Sequence, residues 1–137
     1  MERYNKGMLL RTGVDLIEIR RLEELSESLR PRFYRRVFTP VELEEGGASL
    51  ATLAGRFAAK EAVAKALGSG IGPISWQDIE IRRGKDGQPL LNLRGNAQRL
   101  AEELCLTTWS ISISHSKTHA VAFVVALGDE AASPADQ

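Results

Sequence analysis

Four charged side chains interrupt the alanine-rich stretch LAGRFAAKEAVAKAL (53–67): Arg56, Lys60, Glu61 and Lys65. At about 100° per residue, Arg56 and Lys60 fall within the arc of large apolar residues, and Glu61 and Lys65 lie at its edge. The opposite half of this predicted helix carries only alanines. A helix that is apolar nearly all round is usually buried, and buried charges need a partner, a metal ion or a ligand.

The same four charges also have a purely structural interpretation. Arg56 and Lys60 would repel each other one turn apart, whereas Glu61 and Lys65 would attract each other. Such pairs change helix stability by only about 0.2–0.5 kcal/mol each. The helix by itself leaves both interpretations open.

A further carboxylate lies in the apolar stretch GVDLIEI (13–19). Strand alternation places Asp15 on the same face as Ile17 and Ile19, where a carboxylate is costly unless it is paired or bound to a metal. Together with Glu61 it could hold Mg²⁺, which takes one or two protein carboxylates and completes its shell with water and substrate phosphate. Alternatively, Asp15 caps a turn or the strand ends before it. Spacing alone does not show that the two carboxylates meet.

His115 stands at the end of a predicted strand, in ISISHSK (111–117). Adjacent strand residues point to opposite faces and no GxSxG motif is present, so serine hydrolase chemistry is disfavoured. His115 either binds a ligand phosphate or hydrogen-bonds a turn. With two histidines and one cysteine in the chain, a zinc site is also disfavoured.

Arginines are concentrated between residues 20 and 36, with aromatic residues among them. The cluster is a solvated basic face, a nucleic-acid contact, or a docking surface for an acidic protein. The formal net charge of zero gives no overall support for nucleic acid or an anionic membrane. The arginines in question are Arg20, Arg21, Arg30, Arg32, Arg35 and Arg36.

The first half of the chain predicts the elements that must position these residues. Residues 8–19 are rich in β-formers and predict a strand. Residues 22–37 have helical spacing, which Pro31 breaks or restarts. The sequence TPVE (39–42) predicts a helix start with a capping box.

The second half predicts a helix stop, a hairpin, a helix and two strands. GSGIG (68–72) ends the alanine helix and is no Walker loop, since no GK[ST] follows. Residues 76–93 predict a hairpin turning at Asp86-Gly87, and residues 96–104 a short amphipathic helix. Residues 108–127 predict two strands that turn around Ser116-Lys117. The fold class is therefore α+β, a single domain with an antiparallel sheet packed with a long alanine-rich helix.

Length and composition favour an intracellular protein. The 137 residues suit one domain with a sizeable core. The single cysteine excludes an internal disulfide and fits a reducing cytoplasm. There is no signal peptide and no long apolar run, so export and membrane spanning are not expected. We expect residues 1–7 and 128–137 to be flexible tails around a domain at 8–127.

Taken together, four segments resemble the holo-acyl-carrier-protein synthases, small members of the phosphopantetheinyl transferase superfamily. The resemblance covers roughly residues 8–127 and implies a 4'-phosphopantetheinyl transferase-like fold. It also implies transfer of 4'-phosphopantetheine from coenzyme A to a serine of apo acyl carrier protein, in fatty acid biosynthesis. The segments are GVDLIEIRRLEEL (13–25), FTPVELE (38–44), LAGRFAAKEAVAKALGSGIG (53–72) and ISISHSKTHAVAFVV (111–125).

The resemblance also implies roles for individual residues. Asp15 and Glu61 would bind Mg²⁺, and Lys65 would handle the transferred phosphate. Arg56 and His115 match positions near coenzyme A, and Arg21 matches a position that docks the carrier protein. The family is typically homotrimeric, with active sites between subunits. These roles imply a cytoplasmic enzyme with no nucleic-acid or membrane partner.

Two rivals remain at this point. One is an enzyme of the same superfamily that serves polyketide or peptide-synthase carriers, although the short chain argues against the larger pseudo-dimeric type. The other is a non-catalytic module that binds acyl carriers or nucleic acid through its arginines. That module would keep its function when Glu61 is replaced by glutamine.

Overall fold

A computed structural model describes residues 7–129 of the chain. The predicted tails fall, except at their inner ends, on residues 1–6 and 130–137, outside the described residues. The elements in chain order are β1 Leu9–Glu18, α1 Arg20–Glu23, α2 Arg30–Val37, α3 Pro40–Gly46, α4 Leu50–Leu67, a 3₁₀ turn Trp76–Asp78, β2 Ile79–Arg83, β3 Pro89–Leu93, α5 Gly95–Glu103, β4 Leu106–His115 and β5 His119–Gly128.

The α+β prediction is confirmed, with the strands divided between two antiparallel sheets. One sheet has three strands in the order β1-β5-β4, and the other is the β2–β3 hairpin. Helix α3 covers the β2 edge of the hairpin. The backbone N–H groups of Ile81 and Arg83 donate to the carboxylates of Glu42 and Glu45, at 2.7 and 2.9 Å.

Helix α4 packs against the inner face of the three-stranded sheet at close range. A Cβ placed on Gly13 would lie 1.9 Å from the carbonyl oxygen of Ala62, so only glycine fits there. Opposite the helix, β5 presents the fully buried alanines Ala120, Ala122 and Ala126. The alanine-rich composition of α4 is thus a packing requirement, since small side chains on both elements let the backbones approach.

The predicted helix start and stop signals agree with the structure, although the helix predicted over residues 22–37 is divided into α1 and α2 by the non-helical residues 24–29. Pro31 lies in the first turn of α2, so the proline restarts the helix. Thr39 and Glu42 form the predicted capping box of α3, in which Glu42 Oε1 accepts from the Thr39 N–H at 2.8 Å. Helix α4 ends at Gly68, which has a left-handed φ of 79°.

The outer face of the three-stranded sheet is apolar and uncovered within the described chain. Strand alternation sends every second residue of β1 and β5 away from α4. Contiguous exposed apolar surface of this kind marks an interaction site. The exposed large apolar side chains of this face are Leu10, Val14, Leu16, Phe123 and Leu127.

Candidate functional site

Asp15 lies within β1, which continues beyond it to Glu18, so the alternative in which the strand ends before Asp15 is wrong. Its Oδ1 is 3.1 Å from the ammonium of Lys65, on the last turn of α4. The same ammonium donates to the carbonyl of Val14 at 2.9 Å. The side chain of Lys65 remains 54% exposed, so its cation is accessible from solvent while it is held against β1.

Glu61 lies on α4 one turn before Lys65 and is half-buried. Burial raises the pKa of the Glu61 carboxyl, and the nearby charge of Asp15 raises it further. The cations of Lys65 and Arg21 partly offset this rise. Within residues 7–129, no hydrogen bond or ion pair reaches the Glu61 carboxylate. Two carboxylates close enough to repel each other, one of them without a directed partner, attract a cation.

The Asp15–Glu61 pair suits Mg²⁺ better than a metal ion whose ligands must all come from the protein. No group of three or more histidine, cysteine, aspartate or glutamate ligands exists among the described residues. Mg²⁺ retains several waters and is commonly held by one or two carboxylates together with substrate phosphate. Asp15 and Glu61 therefore fit Mg²⁺ on chemical grounds.

Arg21 borders a small apolar pocket beside this carboxylate pair. The pocket has a volume of about 100 Å³ and is also lined by Ile17, Leu22, Leu25, Phe33 and Phe57. Arg21 itself is exposed at the start of α1. An exposed cation at the rim of an apolar pocket can meet a partner that carries both acidic and apolar side chains.

Arg56 and His115 come together in a second place, a cleft of about 220 Å³. Its walls are formed by α4, the end of β4 and the β2–β3 hairpin, which adds Arg82 and Arg83. The His115 Nδ1 lies 3.2 Å from the carbonyl oxygen of Ser116, so the histidine meets both a turn and the cleft. Three arginines and a histidine around one cleft suit an anionic ligand.

The buried cations of α4, Arg56 and Lys60, find their partners on α3, so the interpretation as pairs within α4 is wrong for these two, whereas the cation of Lys65 does attract the Glu61 carboxylate one turn away. The Arg56 Nη1 lies 2.9 Å from the Glu45 Oε1, and the Lys60 ammonium lies 2.8 Å from the Glu42 Oε1. Lys60 also donates to the carbonyls of Trp76 and Ile79. Burial lowers the pKa of Lys60, although the charge of Glu42 opposes this effect.

Sequence reasoning missed Glu42 and Glu45 as the partners of these cations. The sequence predicts only the capping-box role for Glu42, and the structure shows that it performs that role and forms the ion pair at once. The available signal was their spacing of three residues on one short helix, which places both on one face. Nothing in the sequence said which face of α4 they would meet.

The predicted site residues form two groups at opposite edges of the sheet. Asp15, Glu61 and Lys65 lie at the β1 edge, whereas Arg56 and His115 share a cleft at the β4 edge, with β5 between the two strands. The structure of one chain therefore brings the residues together within each group and does not join the two groups.

No helix among residues 7–129 is long and apolar enough to cross a membrane.

The family model described as the 4'-phosphopantetheinyl transferase superfamily matches residues 11–124. Holo-[acyl-carrier-protein] synthase of Herpetosiphon aurantiacus is 47% identical over 127 residues, which cover 88% of this chain and 100% of the relative. The protein of that name from Moorella thermoacetica is 50% identical over 125 residues, covering 87% and 93% respectively.

Two solved structures are also similar to this chain. Holo-[acyl-carrier-protein] synthase of Helicobacter pylori in complex with coenzyme A matches with a TM-score of 0.77 and 33% identity, covering 84% of this chain and 98% of that one. The Bacillus anthracis holo-(acyl-carrier-protein) synthase, in complex with CoA (3',5'-ADP), matches with a TM-score of 0.71 and 37% identity, covering 88% and 98%.

Proposed function

The chain belongs to the 4'-phosphopantetheinyl transferase superfamily, and we infer from this that it acts as a holo-[acyl-carrier-protein] synthase. It transfers the 4'-phosphopantetheine group of coenzyme A to a serine of apo acyl carrier protein and releases adenosine 3',5'-bisphosphate. The observation that carries this conclusion is the 47% identity to a holo-[acyl-carrier-protein] synthase along that relative's whole length. A non-catalytic binding module is not favoured.

Asp15 and Glu61 are proposed to hold Mg²⁺. Their facing carboxylates, and the absence of a directed partner for Glu61 among the described residues, support this assignment. When bound, the ion would neutralise charge on the pyrophosphate of coenzyme A, which is where phosphoryl transfer gains much of its rate.

Lys65 is proposed to stabilise the transferred phosphoryl group. Its ammonium is fixed against β1 by Asp15 and the carbonyl of Val14, and more than half of its side chain is exposed. A preorganised cation beside developing negative charge lowers the barrier without reorganisation during the reaction.

The nucleophile in this proposal belongs to the carrier protein, so the chain needs only a group that accepts the serine proton. Glu61 is the candidate, because its raised pKa brings it nearer to that of a useful base. Its position beside Asp15 and Lys65 keeps the proton acceptor next to the proposed phosphoryl site.

The cleft at the β4 edge is proposed to take the phosphate-bearing nucleotide end of coenzyme A. Arg56 and His115 supply donors from two elements, and Arg82 and Arg83 add positive charge from the hairpin. Arginine forks suit phosphate oxygens, since they offer paired donors in a fixed plane.

Arg21 is proposed to dock the carrier protein, which is acidic. It lies beside the Glu61 carboxylate, so a carrier bound there would deliver its serine close to the metal site. We propose no nucleic-acid partner, because the net charge is zero and the arginines of α1 and α2 have this other use.

A homotrimer is proposed as the working form, in a cytoplasmic enzyme whose domain spans residues 8–127. The uncovered apolar sheet face, including Leu16 and Phe123, supports a subunit interface. The placement of the two groups of site residues at opposite edges supports it further. A complete site would then combine the β1 edge of one subunit with the β4 edge of the next.

A mass measurement tests the reaction. Apo acyl carrier protein is incubated with the protein, coenzyme A and Mg²⁺, and the carrier should gain the mass of one phosphopantetheine. Addition of EDTA should abolish the gain. No mass change with a folded protein and several carriers would contradict the assignment.

A further inference from the structure

Glu45, on α3 behind the cleft, contacts two of the cationic residues that line it. Its Oε1 lies 2.9 Å from the Arg56 Nη1. The same oxygen accepts a hydrogen bond from the backbone N–H of Arg83 at 2.9 Å. The Arg83 Nη2 in turn donates to the backbone carbonyl of Glu45 at 3.2 Å. Glu45 thus joins the α4 wall of the cleft to the β2 wall.

The Arg56 side chain is only 6% exposed, yet part of its hydrogen-bonding capacity is unused. Within residues 7–129 its Nη1 is buried and receives no directed hydrogen-bond acceptor. Its contact with Glu45 is therefore an ionic one rather than an aligned hydrogen bond. Arg56 also lines the cleft, so the ionic contact of its Nη1 with Glu45 holds a guanidinium that can offer its other donors to an anion there.

We propose that Glu45 is a positioning residue for coenzyme A binding, and this rests on the proposed function of the cleft. Glu45 holds Arg56 and Arg83 in place, so that their donors are oriented before the ligand arrives. Holding a long cationic side chain in advance reduces the conformational entropy lost on binding.

The direction in which the affinity for coenzyme A changes when Glu45 is removed distinguishes a positioning role from a purely electrostatic one. Glu45 carries a negative charge beside a cleft that would bind phosphate, so its direct Coulomb effect weakens binding. Its positioning effect strengthens binding. If positioning dominates, removal of Glu45 lowers the affinity for coenzyme A, and if the charge dominates, removal raises it.

Glu42 offers an internal comparison on the same helix. It pairs with Lys60, both side chains are fully buried, and neither residue lines the cleft. Glu42 reaches the lining of the cleft only at the backbone N–H of Ile81 and contacts none of the cationic side chains there, so its main role is in folding. The two carboxylates of α3 thus differ: Glu42 pairs with the fully buried Lys60, whereas Glu45 contacts two arginines that line the cleft.

The test compares Glu45→Ala, Glu45→Gln and the control Glu44→Ala, which changes an exposed neighbour. Glu45→Ala should raise the KM for coenzyme A roughly tenfold, the scale of a lost charge-assisted contact. The KM for the carrier protein and kcat should stay close to their original values. Glu45→Gln should recover only part of the affinity, because its amide oxygen can still accept from the Arg83 N–H but its ionic contact with Arg56 is lost. Glu44→Ala should change nothing.

Calorimetric titration with coenzyme A alone gives a readout that does not require turnover. The Kd for coenzyme A should rise in Glu45→Ala as its KM does. An unchanged or lower Kd, or an equal rise in both KM values, would overturn the positioning role. If the original protein transferred no phosphopantetheine, the proposed function would fail, and the titration would still decide on Glu45.

Discussion

The ammonium of Lys65 lies 3.1 Å from the Oδ1 of Asp15, across fifty positions of sequence, and joins the end of α4 to the middle of β1. This contact places a cation and a carboxylate beside Glu61, which has no directed partner within the described part of the chain. The site thus keeps unlike charges close together and leaves one carboxylate available for a ligand.

Glu61→Gln should abolish phosphopantetheine transfer and stabilise the folded protein at neutral pH. The folded-state pKa of Glu61 lies above its ordinary value of 4.5, so the ionised group destabilises the fold above that folded-state pKa. The difference in unfolding free energy between variant and original should shrink as pH falls through the folded-state pKa and vanish below about 4.5. Urea unfolding at several pH values measures it, with the exposed Glu103→Gln as control. Retained turnover in Mg²⁺ would contradict the metal assignment.

Asp15→Asn and His115→Ala should complement each other if the active sites lie between subunits. Each variant alone damages one half of every site, because Asp15 belongs to the β1 edge and His115 to the β4 edge. Mixed and reassembled subunits would include sites that combine two intact halves, so activity should reappear. The rate of the mixture, compared with that of each variant at equal total concentration, decides the matter. A mixture no more active than its components would place both halves in one chain.

Arg21→Glu should raise the KM for acyl carrier protein more than the KM for coenzyme A. The change reverses charge at the rim of the pocket beside Glu61 and would repel an acidic carrier. Steady-state kinetics with each substrate varied in turn gives both constants. Arg99→Glu makes the same charge change on α5, away from the site, and should leave both constants near their original values. Equal effects of Arg21→Glu on the two constants would argue against docking.

Lys60→Met should destabilise the protein strongly. Lys60 and Glu42 are both fully buried, so the variant leaves the Glu42 carboxylate inside the protein without its cation. Breaking a buried pair from one side typically costs about 3–5 kcal/mol. Denaturant unfolding measures the loss, and adding Glu42→Gln to Lys60→Met should recover part of it. A single variant as stable as the original would mean that the pair contributes nothing to folding.

Gly13→Ala should also destabilise the fold, through the spacing of α4 and β1. The new Cβ would lie 1.9 Å from the Ala62 carbonyl oxygen, so helix and strand must separate. Overpacking of this kind typically costs about 1–3 kcal/mol, and backbone on both sides leaves little room to relax. Gly47→Ala serves as comparison, since a Cβ there meets no atom within 4 Å and only the positive φ opposes it. Equal unfolding free energies for the two variants would contradict the close-packing argument.

Short stretches of the sequence specify the local elements and the chemistry that their side chains offer. The capping box at Thr39, the restart at Pro31 and the stop at Gly68 depend on neighbouring residues, so they could be identified from short patterns. The period-2 alternation likewise predicted correctly that Asp15 lies on the same face of the strand as Ile17.

Which charged side chains pair with each other depends on the tertiary structure. Arg56 and Lys60 pair with Glu45 and Glu42 of α3, and Lys65 with Asp15 of β1. These contacts depend on the rotation of α4 about its own axis. Because α4 carries apolar residues on nearly all sides, the hydrophobic pattern of its sequence does not predict that rotation. The separation of the carboxylate pair from the Arg56–His115 cleft is likewise a tertiary property, because the strand order places β5 between β1 and β4. Strand order is a non-local property, which no short stretch of sequence specifies.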